Sequence, residues 1–213
     1  MSLINYILKE NTIRSNNTLL IVDVQPEYNF DFDLFAFLQY INGEAIEGKD
    51  IVYLYNGVET VDMISEDDLK HWLYEGSEYD PQMEELIYND IQFYDKGYAF
   101  FRSCMDEGME EDIIVKLVKF MWEEDKRDTR DLDRDQWIKF ISSIKDTDDW
   151  TFILIETLRD HNEILYIPEL MDQLEGLNNI TMVGGGITEC LREVEIALMA
   201  LDKKYNINHE FTF

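Results

Sequence analysis

The sequence predicts an α/β protein built on a mostly parallel, doubly wound sheet, and three observations carry that prediction. Short continuous apolar runs rich in β-branched residues stand at 18–24, 50–55, 91–94 and 180–183. Runs this short and unalternated mark strands buried on both faces. Between them lie segments with apolar residues at helical spacing, the order expected of βαβ units. No internal repeat and no Pro- or Ser-rich linker interrupts the chain, so a single domain over 1–213 is expected, with an acidic helical insertion at about 102–166.

Taken in order, T-L-L-I-V-D-V at 18–24 is the first strand, and a helix is expected around Asp33 to Asn42. Asp50-Ile-Val-Tyr-Leu-Tyr is the second strand, ending at Asn56-Gly57. Residues 66–90 are mixed, with Pro81 and a short helical stretch near Met83 to Tyr88. I-Q-F-Y at 91–94 is a third strand leading into Asp95-Lys96-Gly97. Ile113, Ile114, Leu117, Val118 and Met121 recur at helical spacing with acidic residues between them. Asp125 to Asp135 is a charge run, read as a solvated turn, and Trp137, Ile138, Phe140, Ile141 and Ile144 give another amphipathic helix. Trp150 to Leu158 is a buried helix or strand. Pro168 suits the first turn of a helix reaching Leu174, and Gly176 its end. I-T-M-V at 180–183 is the fourth strand. Gly184, Gly185 and Gly186 follow, then a helix through L-R-E-V-E-I-A-L-M-A-L-D-K-K, and Tyr205 to Phe213 reads as a last strand.

Composition narrows the function classes. Apolar residues make up 46% and aromatics 13% of 213 residues, ample for a packed core, so wholesale disorder is excluded. Lys+Arg number 18 against 46 Asp+Glu, a net charge of −28 that repels phosphate backbones and anionic membranes. No nucleic-acid or membrane partner is therefore expected. No apolar run approaches the roughly 20 residues of a membrane span, and the N-terminus lacks the pattern of a signal peptide. Two cysteines, Cys104 and Cys190, are too few for a disulfide framework, which suits a reducing, cytoplasmic setting.

In doubly wound sheets ligands bind at the carboxyl ends of strands. Asp23, Lys96 and Cys190 all fall at such ends. Each alone has an ordinary reading: a turn or cap carboxylate, a solvated lysine, a small core cysteine. Together they make a nucleophile site. Cys190 follows a glycine turn at the start of a helix, whose positive end and a nearby lysine are expected to lower the thiol pKa. A carboxylate can take the thiol proton and return it to a leaving amine, and backbone N–H groups of the turn can hold an oxyanion.

Three segments, L-L-I-V-D-V-Q at 19–25, D-K-G-Y-A-F-F at 95–101 and V-G-G-G-I-T-E-C-L at 183–191, resemble the signatures of the isochorismatase-like cysteine hydrolases, among them nicotinamidases and N-carbamoylsarcosine amidases. E-G-S-E-Y-D-P-Q at 75–82 is similar to the loop before that family's lysine strand, and the resemblance spans about 18–101 and 167–210. It implies a three-layer fold and hydrolysis of an amide, carbamoyl or ureido C–N bond of a small molecule through a Cys thioester. Asp23 would be general base and acid, Lys96 the ordering cation and Cys190 the nucleophile. Gly186 and Cys190 would form the oxyanion hole, with a non-proline cis peptide before Gly186. Gln25, Tyr28, Asn56, Tyr98 and Gly185 would line or support the pocket. Tyr28, Phe30 and Phe32 are read as pocket wall or core.

The chain departs from the family pattern at Ile187, where Thr is usual. Aligning on Thr188 instead would put Leu191 at the nucleophile position and make the protein an inactive binding member of the fold. Helix phase favours Cys190, since Leu191 and Val194 then take buried positions. A vinyl-ether-cleaving isochorismatase and a DNA mimic are lesser alternatives. Asn56 and Val58 stand where nicotinamidases carry metal ligands, so neither metal nor cofactor is expected. Asp131, Asp133 and Asp135 have the spacing of a calcium loop but lack its Gly and terminal Glu, Gln136 and Ser142 standing there. A small-molecule substrate and a homo-oligomer are expected, the insertion serving as a lid over the pocket rim or as a subunit interface.

Overall fold

The computed structural model describes residues 17–57, 64–97, 109–127, 134–144 and 167–213. Among them run β1 (Thr18–Val22), α1 (Leu34–Ile46), β2 (Asp50–Tyr55), α2 (Glu66–Gly76) and α3 (Pro81–Glu85), which continues as a π-turn over Leu86–Asp90. β3 (Gln92–Asp95), α4 (Glu111–Lys126), α5 (Arg134–Ile144), α6 (Pro168–Glu175), β4 (Ile180–Gly184), α7 (Cys190–Ala200) and β5 (Tyr205–Ile207) follow, then a 3₁₀ turn, His209–Phe211. The expected segment Trp150–Leu158 and the calcium-like Asp131 and Asp133 lie outside the described residues, as do Tyr98 and Val58.

The five strands form an all-parallel sheet in the order β3-β2-β1-β4-β5. Alternate side chains divide it into two faces, as the period of two requires. Leu20, Val22, Val52, Leu54, Ile180 and Met182 face a layer made by α4, α6 and α7. Leu19, Ile21, Ile51, Tyr53 and Val183 face α1, α2 and α3. The result is a three-layer α/β sandwich, and no described helix is long and apolar enough to cross a membrane.

Local signals explain most boundaries. Asp33 caps α1, its Oδ1 accepting from Ala36 N at 2.8 Å. Ser65 and Asp68 form a reciprocal capping box that starts α2, so much of the mixed stretch 66–90 is helical. Pro81 and Pro168 occupy first turns, where a missing N–H goes unnoticed. The last strand is shorter than expected. It stops at Ile207 because the Asn208 side chain accepts from Glu210 N, turning the chain so that Phe211 is buried beside Phe37 and Tyr40.

Within the described part of the 102–166 region, α4 packs into the core, and its first turn reaches the Cys190 end of α7 through Glu111 and Arg192. Ile113, Ile114, Leu117, Val118, Met121 and Trp122 of α4 are buried in the face shared with α6 and α7. Lys119 pairs with Asp202 at 2.5 Å and Lys126 pairs with Glu175. Burying a side chain of this kind contributes about 1.5–3 kcal/mol, so α4 is a structural layer of the domain. Deleting it is expected to abolish the cooperative melt rather than to leave an intact domain; a sharp transition in the deleted protein would contradict this packing.

Candidate active site

The sheet reverses its winding between β1 and β4, and the crevice beyond their carboxyl ends is where such folds place ligands. Asp23 is the first residue beyond β1. Its N–H still joins the ladder, donating to Leu54 O at 2.9 Å, while its own φ of +49° turns the side chain out of the strand. Lys96 stands likewise beyond β3, donating from its N–H to Tyr55 O at 2.8 Å. Cys190 opens α7 on the far side of the switch point. Three residues far apart in sequence thus meet at one edge because each directly follows, or closely follows, a parallel strand.

The meeting is tight. Lys96 Nζ lies 2.9 Å from Asp23 Oδ2 and 3.3 Å from Glu193 Oε2, all three side chains being at most 5% exposed. The Asp23 contact is short but poorly angled, so neither of its oxygens accepts a well-formed hydrogen bond, whereas Glu193 does accept one from Lys96. Cys190, half-buried, sits beside the Asp23 carboxylate and within the field of Lys96 and Glu193. Leu191 is fully buried among the residues of the α4, α6 and α7 face, so the thiol rather than the leucine stands beside Asp23. Arg192 avoids the core by pairing with Glu111 and, at 2.7 Å, with Glu195.

Electrostatics correct one expectation. Burial, then the Asp23 carboxylate, push the Cys190 thiol up to about 12, and the Lys96 charge only partly offsets them. The resting group is therefore a thiol, not the thiolate that a helix start and a lysine suggested. Desolvation works against the Lys96 ammonium, but Asp23 and Glu193 outweigh it and hold that side chain charged.

The glycine turn shapes the approach to Cys190. Gly184 has φ +79° and a Cβ there would meet Val22 O at 2.4 Å and Val24 Cγ2 at 2.5 Å. Gly185 follows at φ +57°. No described peptide bond is cis, so the bond expected before Gly186 is trans; two successive left-handed glycines turn the chain instead. Phe213 brackets the turn, its N–H donating to Gly185 O and its carbonyl accepting from Ile187 N, each at 3.1 Å. The N–H groups of Gly186 and Cys190 have no backbone acceptor among the described residues. Gly184→Ala is expected to destabilise the fold by about 3 kcal/mol, combining left-handed strain with overpacking; chemical denaturation measures it, and a loss under 1 kcal/mol would contradict the contact.

The supporting residues fall close by. Gln25 ties β1 to β2: its Oε1 accepts from Asn56 N at 2.6 Å and its Nε2 donates to Asn56 O at 3.2 Å. Tyr28 hydrogen-bonds the Asn56 side chain, and burial with the Asp23 charge pushes its phenol up to about 12. Phe30 and Phe32 stack with ring centroids 4.7 Å apart; Phe32 packs on Phe37 and Phe211 and Phe30 on Trp72 and Phe213, joining both to the core. His71 is exposed on α2 beside Glu75.

Glu193 was not anticipated from the sequence. The signal was present: three residues after Cys190 places it on the same helix face, between the buried Leu191 and Val194, where an unpaired carboxylate would be costly.

Burial of these groups has a consequence for alkaline stability. In the unfolded chain Cys190 and Tyr28 ionise near ordinary values, roughly 8.5 and 10, while the folded protein holds both protons until about 12. Above about pH 8.5 the unfolded state binds fewer protons, so stability falls as pH rises. Melting temperatures from pH 7 to 11 should decline, and Cys190→Ala should flatten the first part of the decline. Parallel curves for the two proteins would contradict the raised thiol.

Comparison with protein-family models, curated proteins and solved structures found no match.

Proposed function

We propose that this chain is a cysteine hydrolase with the isochorismatase-like fold, acting on an amide, carbamoyl or ureido C–N bond of a small molecule. The observation that supports it is the convergence of Asp23, Lys96 and Cys190 at the sheet's switch point, with a free-ended glycine turn beside the thiol. Asp23 takes the thiol proton as the sulfur attacks the carbonyl carbon, and the N–H groups of Gly186 and Cys190 receive the developing oxyanion. The C–N bond breaks, the amine leaves with the proton from Asp23, and a thioester remains on Cys190. Asp23 then takes a proton from water, whose oxygen attacks the thioester and frees the acid and the thiol.

The raised thiol suits this sequence of steps, because proton transfer to Asp23 is coupled to attack rather than completed beforehand. It equally suits an inactive, ligand-binding member of the fold, and one experiment separates the two. A panel of primary amides, N-carbamoyl amines and ureido compounds is assayed for amine or ammonia release, with mass spectrometry of the quenched protein for an acyl group on Cys190. Turnover and an adduct, both lost in Cys190→Ala, are the expected result. Binding of panel members without release or adduct would establish the inactive alternative.

A further inference from the structure

We infer that Glu193 is a positioning residue: by accepting the Lys96 hydrogen bond, it keeps the Asp23 carboxylate available to the Cys190 thiol. The geometry carries this. Lys96 reaches two carboxylates, and the hydrogen bond with good geometry goes to Glu193, the more distant one at 3.3 Å, so that the fully buried Asp23 meets Lys96 chiefly through charge and keeps an oxygen for the thiol beside it. A carboxylate saturated by ammonium donors would be a poor proton acceptor; one that feels the positive charge without spending its lone pairs on it can still receive the thiol proton. Glu193 also adds a second negative charge to a site that Lys96 alone cannot balance. Among the described residues, Asp23 at the end of β1, Lys96 at the end of β3, Glu193 on α7 and Tyr28 in the loop after β1 are the titratable groups that act on the thiol, and both carboxylates oppose its ionisation.

The inference rests on the hydrolase reading only for its meaning in turnover, since its main readout needs no substrate. In a Cys104→Ser background the rate of Cys190 alkylation by iodoacetamide is followed from pH 6 to 11, for the parent and for Glu193→Gln. Loss of one negative charge should move the profile to lower pH and raise the rate at pH 7 about threefold, half a unit of thiol pKa, because Glu193 is the weakest of the charges acting on the sulfur. Glu193→Asp, keeping the charge with shorter reach, should fall near the parent. A residue that merely fills space would leave the Gln profile unmoved, and a folded Glu193→Gln with the parent's profile overturns the inference. Should neither variant fold, a crystal structure of the unaltered chain decides: the Lys96–Glu193 hydrogen bond supports the inference, and a separation beyond about 4 Å overturns it. A shifted profile in a protein that hydrolyses nothing on the panel leaves the role of Glu193 standing and removes the hydrolase reading alone.

Discussion

Asp23→Asn should abolish turnover while making Cys190 easier to alkylate. The two effects have one origin. Asp23 is the second largest cause of the raised thiol, after burial itself, and Lys96 pulls the other way. With the carboxylate neutralised, the ammonium acts on the sulfur with less opposition, and the thiolate fraction at pH 7 should rise about tenfold or more, one decade per unit. Turnover needs a group that accepts the thiol proton and hands it to the departing amine, and an amide side chain does neither. The loss should reach about 10²–10⁴-fold, the usual contribution of general acid–base catalysis. The substitution is mild structurally: Asn tolerates the left-handed backbone of position 23 as well as Asp does, and Lys96 keeps Glu193 as a partner. Alkylation at pH 7 and release of amine from the best panel substrate, measured on the same preparation with a melting curve, check it. Retention of turnover within about threefold would remove Asp23 from the chemistry.

Much of this architecture could be read from the chain because burial on both faces leaves a plain trace. L-L-I-V at 19–22 and I-V-Y-L-Y at 51–55 are apolar without alternation, and both became central strands; the glycine triplet after Val183 likewise marked the turn into α7. Asp23 and Lys96 could be placed because a polar residue directly after such a run must stand at the sheet's edge. The remainder depends on three dimensions. Nothing in spacing states that α4 closes one face of the sheet rather than capping a pocket, because an amphipathic helix looks the same in either place. The direction of the thiol shift was misjudged for a similar reason: helix starts and lysines are visible in a sequence, whereas desolvation and the second carboxylate, Glu193, exist only once α7 is docked. The path of the chain through the glycine turn depends on both Gly184 and Gly185 adopting positive φ, a choice that permissive residues leave open in sequence.

The buried ion cluster also sets the largest expected change in stability. Lys96→Met removes the cation that contacts both Asp23 and Glu193, carboxylates with at most 5% of either side chain in water. Removing one partner of a buried pair typically destabilises by about 3–5 kcal/mol, because the remaining charge has lost its compensation without regaining solvent. Here one cation is shared by two buried carboxylates, so the upper part of that range is expected. The pH dependence has a definite sign. Carboxylates stranded in this way bind a proton more readily folded than unfolded, so the folded variant takes up protons first as pH falls. Its deficit against the parent should therefore shrink between about pH 7 and pH 5. Lys96→Met with Glu193→Gln should recover part of the loss at pH 7, since only one buried carboxylate then lacks the Lys96 charge. Urea unfolding at both pH values for the parent, the single variant and the double variant measures all three effects. A deficit below about 1 kcal/mol, or one that widens on acidification, would mean that the cluster is reached by water and that Lys96 is not its counter-charge.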